Sequence, residues 1–260
     1  ITAISHPDVA ARISAIKRDS GSVTAKQARA ALSSLYKWVM GEGLMGKSPF
    51  NPVVGTNSPA GPQAGTRVLS DSELTRIWNT CGDDDYGRII KLLILLGSRR
   101  SEIGGMAWSE LDFDAGTWLL PAARSKNKHP LLVPLPTAAL AIIKAVPRTS
   151  RDQLFGARTR AGFTGWERGK RALDARAGIE AKWRVHDVRR TVATRMGDLG
   201  VLPHIIEAAL NHRGGAKRGV AGVYNRSNHE AHVRNALLMW SEHVLALAEG
   251  RKDKVVPLRA

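Results

Sequence analysis

Apolar residues recur with a helical period through residues 24–40 (TAKQARAALSSLYKWVM), where Ala28, Ala31, Leu32, Leu35, Trp38 and Val39 fall on one broad stripe. Thr24 and Gln27 stand in capping-box spacing, which predicts a helix start there, and a shorter helix is expected before it over about 9–18. From Gly41 to Gly65 the period stops. Pro49, Pro52, Pro59 and Pro62 are interspersed with glycines at 41, 43, 46, 55, 61 and 65, the composition of connecting chain with little to offer a core. Residues 1–57 therefore read as a small helical unit that buries little surface alone, and 58–65 as a linker.

From Ser70 the pattern changes. Ser70 and Glu73 form a second capping box, opening a helix that carries Leu74, Ile77 and Trp78, and the nearly continuous apolar run Gly87–Leu96 predicts a buried helix. After Glu102 and the WSELDFD turn region, TWLLPA and HPLLVPL are short apolar stretches on either side of the basic ARSKNKH. That arrangement predicts a β-hairpin with positive charge at its tip. Helical periods resume over roughly 136–146, 164–177, 187–198, 203–209 and 229–248, the last with Val233, Leu237, Trp240, Val244 and Leu247 on one face. Residues 66–260 are thus one larger unit, and the fold class is mainly α with a small antiparallel β-sheet (α+β).

Charge narrows the partners. Lys and Arg total 39 against 23 Asp and Glu in 260 residues, a formal net charge of +16, which points to a polyanion and first to nucleic acid. No apolar run reaches the roughly 18 residues that a membrane span needs, so no membrane partner is expected. The single cysteine, Cys81, has nothing in the chain to pair with, which excludes a disulfide scaffold and fits a reducing, cytoplasmic setting. The chain opens on Ile1 without a basic-then-apolar leader, and is read as part of a longer protein.

Four separated segments hold the chemically capable side chains: 95–108, 123–135, 184–196 and 209–227. Singly, each has a plain structural explanation. Arg99 and Arg100 end a buried helix, Lys126 and Lys128 solvate a hairpin, and His186 caps a helix. Together they suit a phosphodiester under attack, whose non-bridging oxygens gather negative charge that rigidly held arginines meet with planar, multi-donor geometry. Arg99 and Arg189 are suitable clamps. His186, three residues before Arg189 at a helix start, faces the same way, and His212 adds a second imidazole donor. A tyrosine hydroxyl among cations forms its oxyanion at lower cost, so Tyr224 becomes a feasible nucleophile. Lys126, on the hairpin tip, is placed to protonate a departing deoxyribose oxygen. Such a site performs transesterification with no cofactor and no metal.

The chain resembles the tyrosine recombinases, in particular phage-type and genomic-island integrases, over nearly its whole length. The resemblance rests on five stretches in the family's order: Gly97-Ser98-Arg99-Arg100-Ser101-Glu102 with Trp108-Ser109-Glu110-Leu111-Asp112; Ser125-Lys126-Asn127-Lys128 leading to Val133-Pro134-Leu135; His186-Asp187-Val188-Arg189-Arg190-Thr191; Leu210-Asn211-His212; and Gly222-Val223-Tyr224-Asn225-Arg226. It implies that Arg99 is the first activating arginine and Lys126 the hairpin lysine. His186 and Arg189 would be the His-x-x-Arg pair, His212 the second histidine and Tyr224 the nucleophile. Adjacent residues on a helix point apart, so only one of Arg99 and Arg100, and one of Arg189 and Arg190, can be central, and the resemblance selects Arg99 and Arg189. Lys128 stays an alternative to Lys126. Glu102 and Asp187 read as orienting partners of arginine or histidine.

What the resemblance implies further is a catalytic domain over 66–260 preceded by a partial core-binding domain, clamped on double-stranded DNA attachment sites. The protein would act as a homotetramer on paired sites, be a monomer when DNA-free, and work with DNA-bending or directionality accessory proteins in the nucleoid. Integrating or excising a mobile element through a 3′-phosphotyrosyl intermediate is the expected activity. Alternatives are type IB topoisomerase-like relaxation, revealed by relaxed plasmid without recombinants, and a catalytically silent DNA-binding accessory module, revealed by binding without a covalent product. A metal site among His204, His212, His229 and His232 is disfavoured, because Cys81 is remote in sequence and acidic residues do not cluster with them. The tryptophans at 108, 118, 166, 183 and 240 read as core, since four Phe and three Tyr supply no single-strand stacking platform.

Overall fold

A computed structural model of the protein describes residues 4–45, 50–61, 65–156, 162–211 and 229–251. The fold is mainly helical with one small antiparallel sheet, as the hydrophobic pattern predicts. Two compact units divide the chain, Ile1–Thr66 and Arg67–Ala260.

In the first unit, α1 (His6–Gly41) is interrupted at Gly21, whose φ of 85° and ψ of 164° leave a helical stretch on either side. The interruption lies upstream of the expected start at Thr24. Residues 22–24 are already helical, so the Thr24 hydroxyl donates to the Ser20 carbonyl at 2.9 Å and forms no cap. The cap is Ser5, whose backbone N–H donates to the Asp8 carboxylate at 2.9 Å. The inward face also differs from the predicted stripe. Ala25, Tyr36 and Val39 are buried, whereas Leu35 and Trp38 are 43% and 58% exposed. The reason is the packing partner: Val53 joins Val9, Ile13, Ala25 and Tyr36 in one cluster and selects Tyr36's side of the helix. Arg29 fastens that segment, donating to the carbonyls of Val53 and Thr56 at 3.2 and 3.0 Å. Residues 51–56, which their proline and glycine content marks as connecting chain, thus contribute a core side chain.

The second unit begins with α2 (Asp71–Thr80), where Ser70 and Glu73 form the expected capping box. Next comes α3 (Asp85–Leu96), started by Asp84, whose carboxylate accepts from Gly87 N–H at 2.9 Å. From Ile89 to Leu96 every residue except Lys91 is buried, which makes α3 the axis of the core. The short α4 (Arg100–Gly104) precedes β1 (Leu111–Asp112), β2 (Thr117–Leu120) and β3 (Leu131–Pro134). These strands form an antiparallel sheet in the order β1-β2-β3, with Thr117 opposite Pro134 and Leu120 opposite Leu131. The predicted hairpin is β2–β3; β1 has only two residues, too few to show alternation.

Among the described residues, five further helices follow: α5 (Thr137–Lys144), α6 (Trp166–Ala177), α7 (Val185–Asp198), α8 (Pro203–Ala209) and α9 (Glu230–Ala248). α5, α7 and α9 pack on α3. Trp240 of α9 is fully buried and its indole N–H donates to the Ile94 carbonyl at 2.7 Å, so the last helix is locked onto the core axis by both area and a satisfied polar atom. Trp118 and Trp183 are buried as expected, and Trp108 and Trp166 pack partly buried against the same core.

The exit from α3 positions everything downstream. Gly97 caps it with φ 60°, its N–H donating to the Leu93 carbonyl at 2.9 Å, and a Cβ there would lie 2.5 Å from Leu210 Cδ2 and 3.0 Å from Val192 Cγ1. Gly97→Ala combines left-handed backbone strain with overpacking and should cost about 2–4 kcal/mol. Urea denaturation checks this; an unchanged midpoint would contradict the tight α3–α7–α8 junction.

Candidate active site

Three element ends converge beside Gly97. Arg99 occupies the N-cap position of α4, and Glu102 holds it twice: the carboxylate accepts from the Arg99 backbone N–H at 2.9 Å and from Nη1 at 2.7 Å. Glu102 is 3% exposed, so this ion pair is fixed by surroundings that exclude water on the carboxylate side. The predicted orienting role of Glu102 is what the geometry displays.

Arg189, one turn into α7, is 4% exposed. Its Nη1 donates to the Gly97 carbonyl at 2.7 Å and its Nη2 to the Leu210 carbonyl. Burial, then the positive charge of Arg99, lower its pKa to about 10, with Glu102 acting in the opposite direction. Arg190 turns away, donating to Asp187 at 2.5 Å and to the Arg67 carbonyl at 3.2 Å. Asp187 also accepts from the Arg184 N–H at 2.8 Å, starting α7. Asp187 thus orients Arg190 and the helix start.

His186 lies in the first turn of α7 and is exposed. Atoms packed around the ring, then Arg189 and Arg190, hold its pKa below the ordinary 6.5, opposed by Asp187. At neutral pH the ring is an uncharged imidazole that can donate one N–H.

Arg99, Lys126, His186 and Arg189 all line one cleft of about 550 Å³, together with Arg100, Lys170 and Trp183. Four of the six predicted residues are thereby brought together. His212 and Tyr224 lie outside the described residues. Lys126, not Lys128, borders the cleft; Lys128 sits two residues on with φ 57°. Arg100 stacks over Trp166, its guanidinium 5.4 Å from the ring. Lys170, with its ammonium 3.9 Å above the Trp183 ring and paired with Asp174, adds a cation that motif reading missed; it stands in an ordinary amphipathic helix with no marker of its own. Among the described residues, no group of three His, Cys, Asp or Glu side chains could hold a metal ion, and no helix is long and apolar enough to cross a membrane. His204, His229 and His232 make ring contacts with centroids 5.2 and 6.3 Å apart.

A helical unit with a three-stranded sheet thus presents two arginines, a histidine and a lysine to one cleft. The sequence profile of the phage integrase family matches residues 67–230, more than half of the chain, and the chain belongs to that family, the tyrosine recombinases. Prophage integrase IntA of Escherichia coli K12 is 32% identical over 159 residues, covering 60% of this chain and 38% of that protein. Tyrosine recombinase XerC of Xanthomonas campestris is 28% identical over 124 residues, 46% of this chain and 37% of that protein. The chain thus spans well under half the length of the curated relatives it matches. The fold is shared with a lambda integrase dimer bound to a COC′ core site (TM-score 0.63, 17% identity, 88% of this chain and 66% of that one). It is also shared with XerH recombinase bound to difH substrate (TM-score 0.62, 17% identity, 82% and 66%).

The His186 electrostatics are directly measurable. NMR titration of the free protein should place its imidazole pKa below 6.5. Arg190→Gln should raise it on two counts, by removing a cation and by freeing Asp187 to act on the ring. Because the folded pKa lies below the unfolded one, the ring's contribution to stability is complete above about pH 6.5 and is lost as pH falls through the folded value. A pKa at or above 6.5 in the wild type would contradict the cationic surroundings described here.

Proposed function

We propose that this chain is the catalytic part of a site-specific DNA recombinase that cuts and rejoins duplex DNA through a 3′-phosphotyrosyl intermediate. The observation that carries the reading is the convergence of Arg99, Lys126, His186 and Arg189 on one cleft. Arg99 and Arg189 would clamp the non-bridging oxygens of the scissile phosphate, and their charge is worth most where burial keeps water away. His186 and His212 would each donate one hydrogen bond to the same group. Tyr224 would lose its proton to solvent and attack phosphorus. As the new P–O bond forms, the P–O5′ bond breaks and Lys126 protonates the departing 5′ oxygen. Phosphodiester energy is kept in the tyrosyl link, and a 5′-hydroxyl from a partner duplex reverses the step in a new pairing.

Double-stranded attachment sites are the proposed partner, supported by the +16 charge, which favours phosphate contacts and salt-sensitive binding. The unit Ile1–Thr66 is assigned as part of a core-binding domain and Arg67–Ala260 as the catalytic domain. Assembly as a tetramer on paired sites is proposed by extension from the lambda integrase tetramer bound to a Holliday junction. Integration or excision of a mobile element follows as the biological outcome, supported by the kinship with prophage integrases.

Covalent trapping tests this reading. The chain is incubated in EDTA with a randomised library of duplexes nicked a few nucleotides 3′ of the scissile phosphate, from which the short strand between that phosphate and the nick, carrying the new 5′-hydroxyl, diffuses away after cleavage. A denaturation-resistant, 3′-linked adduct is expected, lost in Tyr224→Phe. An adduct that persists in Tyr224→Phe would remove Tyr224 as nucleophile, and tight sequence-specific binding without any adduct would favour a silent DNA-binding module.

A further inference from the structure

Lys126 is exposed, at the end of a flexible four-carbon side chain. Its backbone, by contrast, is held on both sides. Upstream, Arg124 donates from Nε and Nη2 to the Glu110 carboxylate at 2.8 and 2.9 Å, and from Nη1 and Nη2 to the Glu102 carbonyl at 3.2 and 3.0 Å. The two residues flanking Lys126 both reach Asn211, at the end of α8. The Asn211 side-chain amide donates to Ser125 Oγ at 3.1 Å, and the Asn127 amide donates to the Asn211 carbonyl at 2.6 Å. Arg99 Nη2 approaches that same carbonyl at 3.5 Å. The Lys128 N–H closes the turn on the Ser125 carbonyl at 3.0 Å.

Asn211 is suited to this place in two ways. Its φ of 51° lies in the left-handed region, which asparagine tolerates better than most residues, and that conformation aims its carbonyl at Asn127 and Arg99. Its side chain, 8% exposed, then supplies the donor to Ser125, itself 2% exposed. Glycine would keep the backbone shape and lose the second contact.

We propose that Asn211, acting through Ser125 and Asn127, is a positioning residue that sets the register of Lys126 against the scissile phosphate and couples it to Arg99. The inference rests on the assignment of Lys126 as the general acid. In that step the electron pair of the breaking P–O5′ bond stays on the 5′ oxygen, which takes a proton from Lys126 Nζ and leaves a neutral amine. Proton transfer needs the donor within hydrogen-bond reach, and a 1 Å misplacement can cost about a hundredfold in rate. The clasp supplies the placement that the long side chain lacks.

The test uses duplexes that wild-type chain traps covalently from the randomised nicked library, made in two forms: with the natural 5′ bridging oxygen, and with sulfur in its place. A thiolate departs without being protonated. Lys126→Ala, Asn127→Ala and Asn211→Gly should each slow cleavage of the oxygen substrate by about a hundredfold and cleave the sulfur substrate at close to the wild-type rate. Recovery on sulfur also shows that the variant is folded and binds DNA. Variants of Asn127 and Asn211 that cleave the oxygen substrate like wild type, or that stay equally slow on both substrates, would overturn the clasp. If Lys126→Ala is not rescued by sulfur, or wild type traps no member of the library, the general-acid assignment or the recombinase reading fails instead, and the proposal falls with it.

Discussion

A buried guanidinium governs this structure. Arg189 reaches the interior with two backbone carbonyls, those of Gly97 and Leu210, as its direct partners. Moving such an ion out of water costs several kcal/mol even after the protein relaxes, and carbonyl dipoles offset only part of that. In return the contact ties the end of α3, the first turns of α7 and the end of α8 to a single side chain. Glu102, the carboxylate that acts on it, is bonded to Arg99. Burial, and then the charge of Arg99, lower the pKa of Arg189.

The same arrangement explains the rest of the cleft. Glu102 is fixed from behind by Arg124, which is fixed in turn by Glu110, and Glu110 also accepts from the Trp118 indole at 2.9 Å. One hydrogen-bonded chain thus runs from the sheet through the hairpin loop to Arg99. His186 borders it from α7, and the atoms packed around its ring, then the neighbouring cations, oppose its protonation. Rigid elements supply the charge, while the exposed Lys126 projects from a loop whose ends are fastened.

Much of this was legible in the sequence, for physical reasons that differ by element. α3 is readable because an almost unbroken apolar run has no other home than a core, and α2 and α8 because Ser70 and Pro203 mark their starts. Arg99 and Arg189 could be chosen over Arg100 and Arg190 only by resemblance: Asp187, three residues away, and the Arg67 carbonyl, brought in across long sequence separation, draw Arg190 aside. The helical period selects Trp38 over Tyr36 and the structure reverses that choice, because it depends on Val53, 15 or more residues away. Asn127 and Asn211 carry no local signal at all. Each is an ordinary loop asparagine until the hairpin and α8 are brought together.

The central claim is that Arg99 and Arg189 answer the negative charge of one scissile phosphate. Cleavage of a duplex bearing a neutral methylphosphonate at that position measures it most directly. Arg99→Ala and Arg189→Ala should be severely impaired on ordinary phosphate and regain much of the lost rate on methylphosphonate, where no charge needs neutralising. Equal impairment of both variants on the charged and the neutral substrate would contradict the account.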